Sequence, residues 1–185
     1  MSEVLINPYS LAPTCDETTW EQLTYDANYE LSTLDTIGQF LVVDSSIVNG
    51  DPVIRCQFRI DGTGGASGTL TCCRWDASTT TSFTNRSACN FTAAEMLALK
   101  DHTYWAVSAS TLSEGYYGSG VTTESTALSS GESIGLVMTD SGTDITPISQ
   151  IDDTASFSWV VNNNCGGTSP KNGSRHPAFI ITTCG

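Results

Sequence analysis

Apolar and polar residues alternate over short windows through most of this chain, and a period of two is the mark of strands with one face against a core. Residues 53–60 are the clearest case. Ile54, Cys56, Phe58 and Ile60 share one face, and Arg55, Gln57 and Arg59 share the other. Residues 37–44, 69–75, 103–109, 133–139, 157–161 and 178–183 read the same way. Within them, Ile134, Leu136 and Met138 form one face, and Trp105, Val107 and Ala109 another. Asp61-Gly62-Thr63-Gly64-Gly65 supplies a turn between 53–60 and 69–75, so that pair is expected to form a hairpin with a long loop. The period changes once. Thr92-Ala93-Ala94-Glu95 has the form of a capping box, followed by Met96, Leu97, Ala98 and Leu99, which favour helix. Asp101-His102-Thr103 ends that helix after about two turns.

About eight short strands, one short helix and no helical crossover predict an all-β protein, an antiparallel β-sandwich. Residues 1–32 lack alternation and carry Pro8, Pro13 and scattered aromatics. They are expected to be an N-terminal attachment segment, with the sandwich domain at 33–185. Trp75, Trp105 and Trp159 sit among apolar neighbours and are expected in the core.

Composition agrees with a β-protein. Ser and Thr make up roughly a quarter of the residues, there are 16 Gly, and only 15% are charged, below the roughly 25% of ordinary soluble domains. The formal net charge is −13, with 7 Lys plus Arg. No basic stripe exists to neutralise phosphates, so nucleic acid and anionic membrane surfaces are disfavoured as partners. No apolar run approaches the roughly 20 residues of a spanning helix. The first residues lack a basic n-region and an apolar h-region, so synthesis in a cytoplasm is expected, a removed leader being the alternative.

Seven cysteines are many for a cytosolic chain, and their spacing is not that of a zinc site. Cys72 and Cys73 are adjacent and must point to opposite faces of a strand. Cys89 is a candidate partner for one of them across a hairpin, and Cys165 for Cys184. Cys56 reads as a core thiol. The odd count leaves at least one sulfur free or intermolecular.

The succession Ile37-Gly38-Gln39-Phe40, Ser67-Gly68-Thr69-Leu70, Leu99-Lys100-Asp101-His102-Thr103-Tyr104-Trp105 and Ala178-Phe179-Ile180-Ile181 resembles the jelly-roll domains of the carbohydrate-binding-module and concanavalin-like type. Such domains are common on bacterial surface proteins and phage virion proteins. Leu5-Ile6-Asn7-Pro8-Tyr9 is similar to a short N-terminal phrase of tailed-phage structural proteins, although the basic residue that often follows the Tyr is missing here. The resemblance implies a jelly roll over residues 35–185 and a virion protein assembled in a host cytoplasm. Leu5, Ile6, Pro8, Tyr9 and Trp20 are then the candidates for binding other virion proteins of capsid or tail.

Catalysis finds little support. His102 and His176 lie in expected turns, there is no Gly-x-Ser-x-Gly elbow, and Asp152-Asp153 has no defined second partner. No cofactor is expected. Asp140-Ser141-Gly142-Thr143-Asp144 places two carboxylates in one tight turn, so Asp140 and Asp144 are candidate ligands for a structural calcium ion. An ordinary Asp/Gly turn is the commoner fate of such a sequence. Tyr116 and Tyr117, in a glycine-rich loop, are candidate platforms for a sugar face. The alternative there is one Tyr packed under the loop and the other capping the sandwich edge. The expected function is a non-enzymatic surface protein of a tailed-phage virion, a capsid decoration, head-fibre or tail-associated subunit, with closed homo-oligomers as the default. The alternative is a glycan-binding module or adhesin acting outside the cell.

Overall fold

Every strand pairing among the described residues is antiparallel, and the pairings resolve into two sheets. A computed structural model describes residues 16–22, 27–31, 36–43, 50–60, 68–85, 91–118, 127–139, 146–152, 158–162, 171–172 and 175–185. The strands are β1 (Glu17–Gln22), β2 (Ala27–Leu31), β3 (Thr36–Val42), β4 (Val53–Ile60), β5 (Thr69–Trp75), β6 (His102–Ser108) and β7 (Gly115–Gly118). They continue with β8 (Ser133–Thr139), β9 (Thr146–Asp152), β10 (Ser158–Asn162), β11 (Lys171–Asn172), β12 (Arg175–Pro177) and β13 (Phe179–Cys184). Helices α1 (Ala77–Asn85) and α2 (Ala93–Ala98) and a 3-10 turn at Ala109–Thr111 complete the described elements. The first sheet has the order β1-β13-β4-β9-β12, with β2 also on β9 and β7 also on β4. The second has the order β11-β10-β3-β8-β5-β6.

The main core lies between the sheets. Cys56 and Phe58 of β4 and Phe179 and Ile181 of β13 meet Leu41, Leu70, Cys72, Ile134, Leu136 and Met138 from the second sheet. The expected face Ile134–Leu136–Met138 is therefore the inner face of β8. A register shift between Thr182 and Thr183 changes the alternation at the start of β4, so Val53 also enters this core.

At β3, β5 and β8 the second sheet is buried on its other face too. Phe40, Cys73, Trp75 and Val137 form a second cluster with Phe83 of α1, Phe91, and Met96 of α2. Cys72 and Cys73 thus point into different cores, as strand geometry requires. Burial on both faces erases the period of two: Leu70 to Trp75 are all buried. Polar groups in this layer find partners. Trp75 Nε1 donates to the Met96 carbonyl at 2.8 Å, and the Thr80 and Ser133 hydroxyls share a 2.7 Å bond.

Helix α2 forms as its capping box predicts. The Glu95 amide donates to Thr92 Oγ1 at 3.1 Å, and the Thr92 amide donates to Glu95 Oε2 at 2.7 Å. Lys100 Nζ donates to the Leu97 carbonyl at 3.0 Å, a cation at the negative end of the helix. Its Met96 rests on Gly38, where a Cβ would stand 2.9 Å from the Leu136 carbonyl oxygen and 3.2 Å from the Met96 sulfur. The glycine of Ile37-Gly38-Gln39-Phe40 is thus required by close approach of the helix to the sheet.

Four expectations need correction. Among the described residues there are two α-helices rather than one: α1 has the unpromising sequence Ala-Ser-Thr-Thr-Thr-Ser-Phe-Thr-Asn. Asp76 starts it, its Oδ1 accepting from the Thr79 amide at 2.6 Å and the Ser78 hydroxyl at 2.8 Å. Phe83 then anchors it, with ring centroids 4.7 Å from Phe91, 5.7 Å from Trp75 and 5.8 Å from Phe40. Residues 53–60 and 69–75 are not a hairpin: β4 and β5 belong to opposite sheets. Residues 17–31, expected in the attachment segment, contain β1 on β13 and β2 on β9. Finally, the Tyr116-Tyr117 loop is the strand β7, paired with β4.

Candidate functional site

Because Cys56 and Phe58 face the core, Arg55, Gln57 and Arg59 line the outer face of the first sheet. Strand β7 is added beside them, with Tyr116 opposite Arg59 and Tyr117 opposite Phe58. Directly opposed residues share a face, so the two tyrosines separate. Tyr117 turns inward and packs against the main core, its hydroxyl accepting from the Ser113 amide at 2.6 Å and bonding the Ser113 hydroxyl at 2.8 Å. Tyr116 turns outward beneath Arg59, whose guanidinium carbon lies 5.9 Å from the ring centroid. Arg59 Nη2 also donates to Glu114 Oε1 at 2.9 Å. That ion pair is at the surface, with 18% of the Arg59 side chain and 66% of Glu114 exposed. It is worth about 0–1 kcal/mol, and the cation–π contact about 0.5–1 kcal/mol.

The glycines around the tyrosines hold this arrangement. Gly115 has φ +144°, a conformation other residues rarely adopt. A Cβ on Gly118 would run into Gln57 and lie 2.6 Å from the Cys56 carbonyl oxygen. β7 therefore lies flat against β4, and the cluster Arg59–Tyr116–Glu114 is built rather than incidental. It offers a cation, an aromatic edge and a carboxylate, with Gln57 and Arg55 further along the strand.

The other candidate residues fall out as follows. Trp20 lies in β1, in register opposite the fully buried Ile181. Leu5, Ile6, Pro8, Tyr9, Asp140, Asp144, Cys89 and Cys165 lie outside the described residues. Among the described residues no group of three or more His, Cys, Asp or Glu is placed to hold a metal ion. Cys72 and Cys73 are free thiols, so the expected pairing of one of them with Cys89 is corrected: each is sealed in its own core. Cys184 is disulfide-bonded, its partner lying outside the described residues. Burial raises the Cys72 thiol well above the ordinary range, reinforced by Cys56, and pushes Cys73 up to about 12 against the opposing effect of Lys100. Neither is a ready nucleophile. His102 heads β6 with its ring 5.0 Å from Tyr104.

Sequence reasoning missed Glu114 and the role of Arg59. Alternation placed Arg59 outward, but only the β4–β7 pairing, which spans 55 residues between Arg59 and Glu114, brings the cluster together. It also missed the buried Arg74, held by Asp101 through bonds of 3.2 Å to Nε and 2.7 Å to Nη2. Comparison with family models, with curated proteins and with solved structures finds no match for the chain.

Proposed function

We propose that the chain is a non-enzymatic structural protein on the surface of a tailed-phage virion, a jelly-roll subunit of capsid or tail attached through the residues before Asp16. The observation that carries this reading is the polarity of the first sheet. The Gly185 amide donates to the Asp16 carbonyl at 3.2 Å, so β1 starts where β13 finishes. Glu17 pairs with Cys184 at that end, and Gln22 pairs with Phe179 at the other. Arg59 and Tyr116 belong to the Phe179 end, since Phe58 is opposite Phe179 and the Arg59 amide donates to the Ala178 carbonyl. A strand of six residues separates the two ends by about 20 Å. Attachment at the Asp16 end leaves the Arg59–Tyr116 end pointing away from the particle.

The resemblance in residues 5–9 supports a virion partner. The −13 charge supports display at high density, because like-charged neighbours repel and stay soluble. Recognition of sugar through stacked tyrosines has less in its favour: Tyr117 is committed to the core and to Ser113, and Arg59 covers Tyr116.

The test is particle association. Deleting residues 2–14 spares β1, unlike any deletion reaching Gln22. Full-length and truncated proteins of equal melting temperature are added to particles lacking the protein and co-sedimented. Loss of association in the truncated form is expected. Undiminished association overturns attachment through that segment, and glycan-array binding abolished by Tyr116→Ala would replace the virion reading with sugar recognition.

A further inference from the structure

Strands β4 and β5 follow one another in sequence but lie in opposite sheets, and this brings two cysteines face to face across the main core. Cys56 of β4 and Cys72 of β5 have sulfurs 3.7 Å apart, both side chains are fully buried, and both are free thiols. A disulfide holds its sulfurs at about 2.05 Å, so closure asks for an approach of roughly 1.7 Å, shared between two χ1 rotations. Cys73 is no competitor for Cys56. It leaves the same strand on the other face and lies in the second cluster, with Phe40, Trp75 and Val137.

We propose that Cys56 and Cys72 form a covalent cross-link site that ties the two sheets together when the protein folds in the presence of a disulfide oxidant. The reaction is two thiol–disulfide exchanges. One cysteine thiolate attacks the oxidant's S–S bond, forming a mixed disulfide and releasing one thiolate. The second cysteine thiolate attacks the protein sulfur of that mixed disulfide, forming the Cys56–Cys72 bond and releasing the other. Two electrons pass from the cysteine pair to the oxidant, and the two cysteine protons end on the two released thiols.

The burial that makes the pair also sets its timing. Inside the closed sandwich neither sulfur meets solvent, and burial keeps the Cys72 thiol protonated, so no thiolate is presented to an oxidant. Exchange belongs to folding or to sandwich opening, and the folded dithiol form is inert. Once formed, the bond closes a loop between positions 16 apart and raises the melting temperature by roughly 6–12 °C. The inference stands on the packing of β4 against β5 and is independent of the proposed function.

Refolding the full chain in a buffer of reduced and oxidised glutathione, checking the fold by circular dichroism, quenching exchange with acid, then unfolding the protein in guanidinium chloride and blocking the exposed thiols with N-ethylmaleimide near neutral pH, tests it. Trypsin cleaves after Arg55, Arg59 and Arg74, so the bond joins peptide 56–59 to peptide 60–74 with a deficit of two hydrogens. Because the second peptide carries both Cys72 and Cys73, fragmentation between them assigns the sulfur. The cross-linked pair is expected in wild type and in Cys73→Ala, and absent in Cys56→Ala and Cys72→Ala. The rise in melting temperature over the reduced protein vanishes with it. Protein that was folded by circular dichroism before it was unfolded, and whose Cys56 and Cys72 are then both fully alkylated, overturns the proposal, as does a bond assigned to Cys73. The wild-type fragmentation decides the matter even where a cysteine variant fails to fold.

Discussion

Replacing Phe83 by Ala isolates what holds α1 on the protein. Five of the nine residues in this helix are Thr or Asn, and Thr81, Ser82 and Thr84 hydroxyls bond carbonyls of the preceding turn at 2.8, 3.0 and 3.2 Å, a habit that weakens helices. Intrinsic propensity therefore opposes α1, and Phe83 must compensate. It is fully buried and touches three aromatic rings. Truncating a buried Phe costs about 3–5 kcal/mol, and each of its aromatic pairs, one tilted and two edge-on, is worth about 0.5–1.5 kcal/mol beyond area burial. At about 2–4 °C per kcal/mol for a chain of this size, the melting temperature falls by roughly 6–20 °C. The companion variant Ser82→Ala removes an exposed hydroxyl from the same helix and should stabilise it by about 0.5 kcal/mol. Equilibrium urea unfolding under reducing conditions, followed by far-ultraviolet circular dichroism, measures both. A loss below about 1 kcal/mol for Phe83→Ala refutes the claim that this side chain carries α1. So does a gain on Ser82→Ala as large as the loss on Phe83→Ala, because propensity would then be in control.

Three other outcomes follow from the same geometry. Gly38→Ala drives a methyl against the Leu136 carbonyl and Met96 and should cost about 1–3 kcal/mol by urea unfolding; a neutral result means α2 does not press on β3 there. Thr92→Ala removes the reciprocal cap of α2 and should cost about 1 kcal/mol, with Thr92→Ser restoring most of it. The Asp76 carboxyl is held below its ordinary range chiefly by the Thr79 amide and then by the Ser78 hydroxyl, so its contribution is present above the unfolded value near 4 and fades as pH falls through the lower folded value. The stability gap between wild type and Asp76→Ala should accordingly be constant from pH 7 to 5 and narrow below about pH 4. A gap that widens on acidification would contradict that assignment.

The parts of the fold that were legible in the sequence are those where one physical signal dominates. β8 shows its inner face because Ile134, Leu136 and Met138 repeat at the period of a strand. α2 shows its start because Thr92 and Glu95 satisfy each other within four residues. The illegible parts depend on partners far away in the chain. Nothing local distinguishes a hairpin between β4 and β5 from a crossover between sheets, since both need the same alternation and the same glycine-rich connection. α1 is hidden because Ser and Thr suit strands and turns as well, and the Asp76–Ser78–Thr79 start signal is common in loops. β7 is four residues long, and it is a strand only because β4 offers it an edge. The candidate site inherits that difficulty: Tyr116 was visible, but its partner Arg59 lies on a different strand.

The double burial of β5 and β8 narrows where a partner can bind. β5 and β8 are covered on one side by the first sheet and on the other by α1 and α2, so their described residues offer almost no face to a ligand. The first sheet is different. Its β4 presents Arg55, Gln57 and Arg59 outward, beside Tyr116 of β7. Two of the chain's 7 Lys plus Arg therefore stand on one strand, inside a molecule of net charge −13. Arg59 is engaged by Glu114 and Tyr116 at the Phe179 end of the sandwich, while Arg55, opposite Thr182, lies toward the Asp16 and Gly185 end. The hydrogen-bonding groups of this face are therefore spread along β4 rather than gathered at one end.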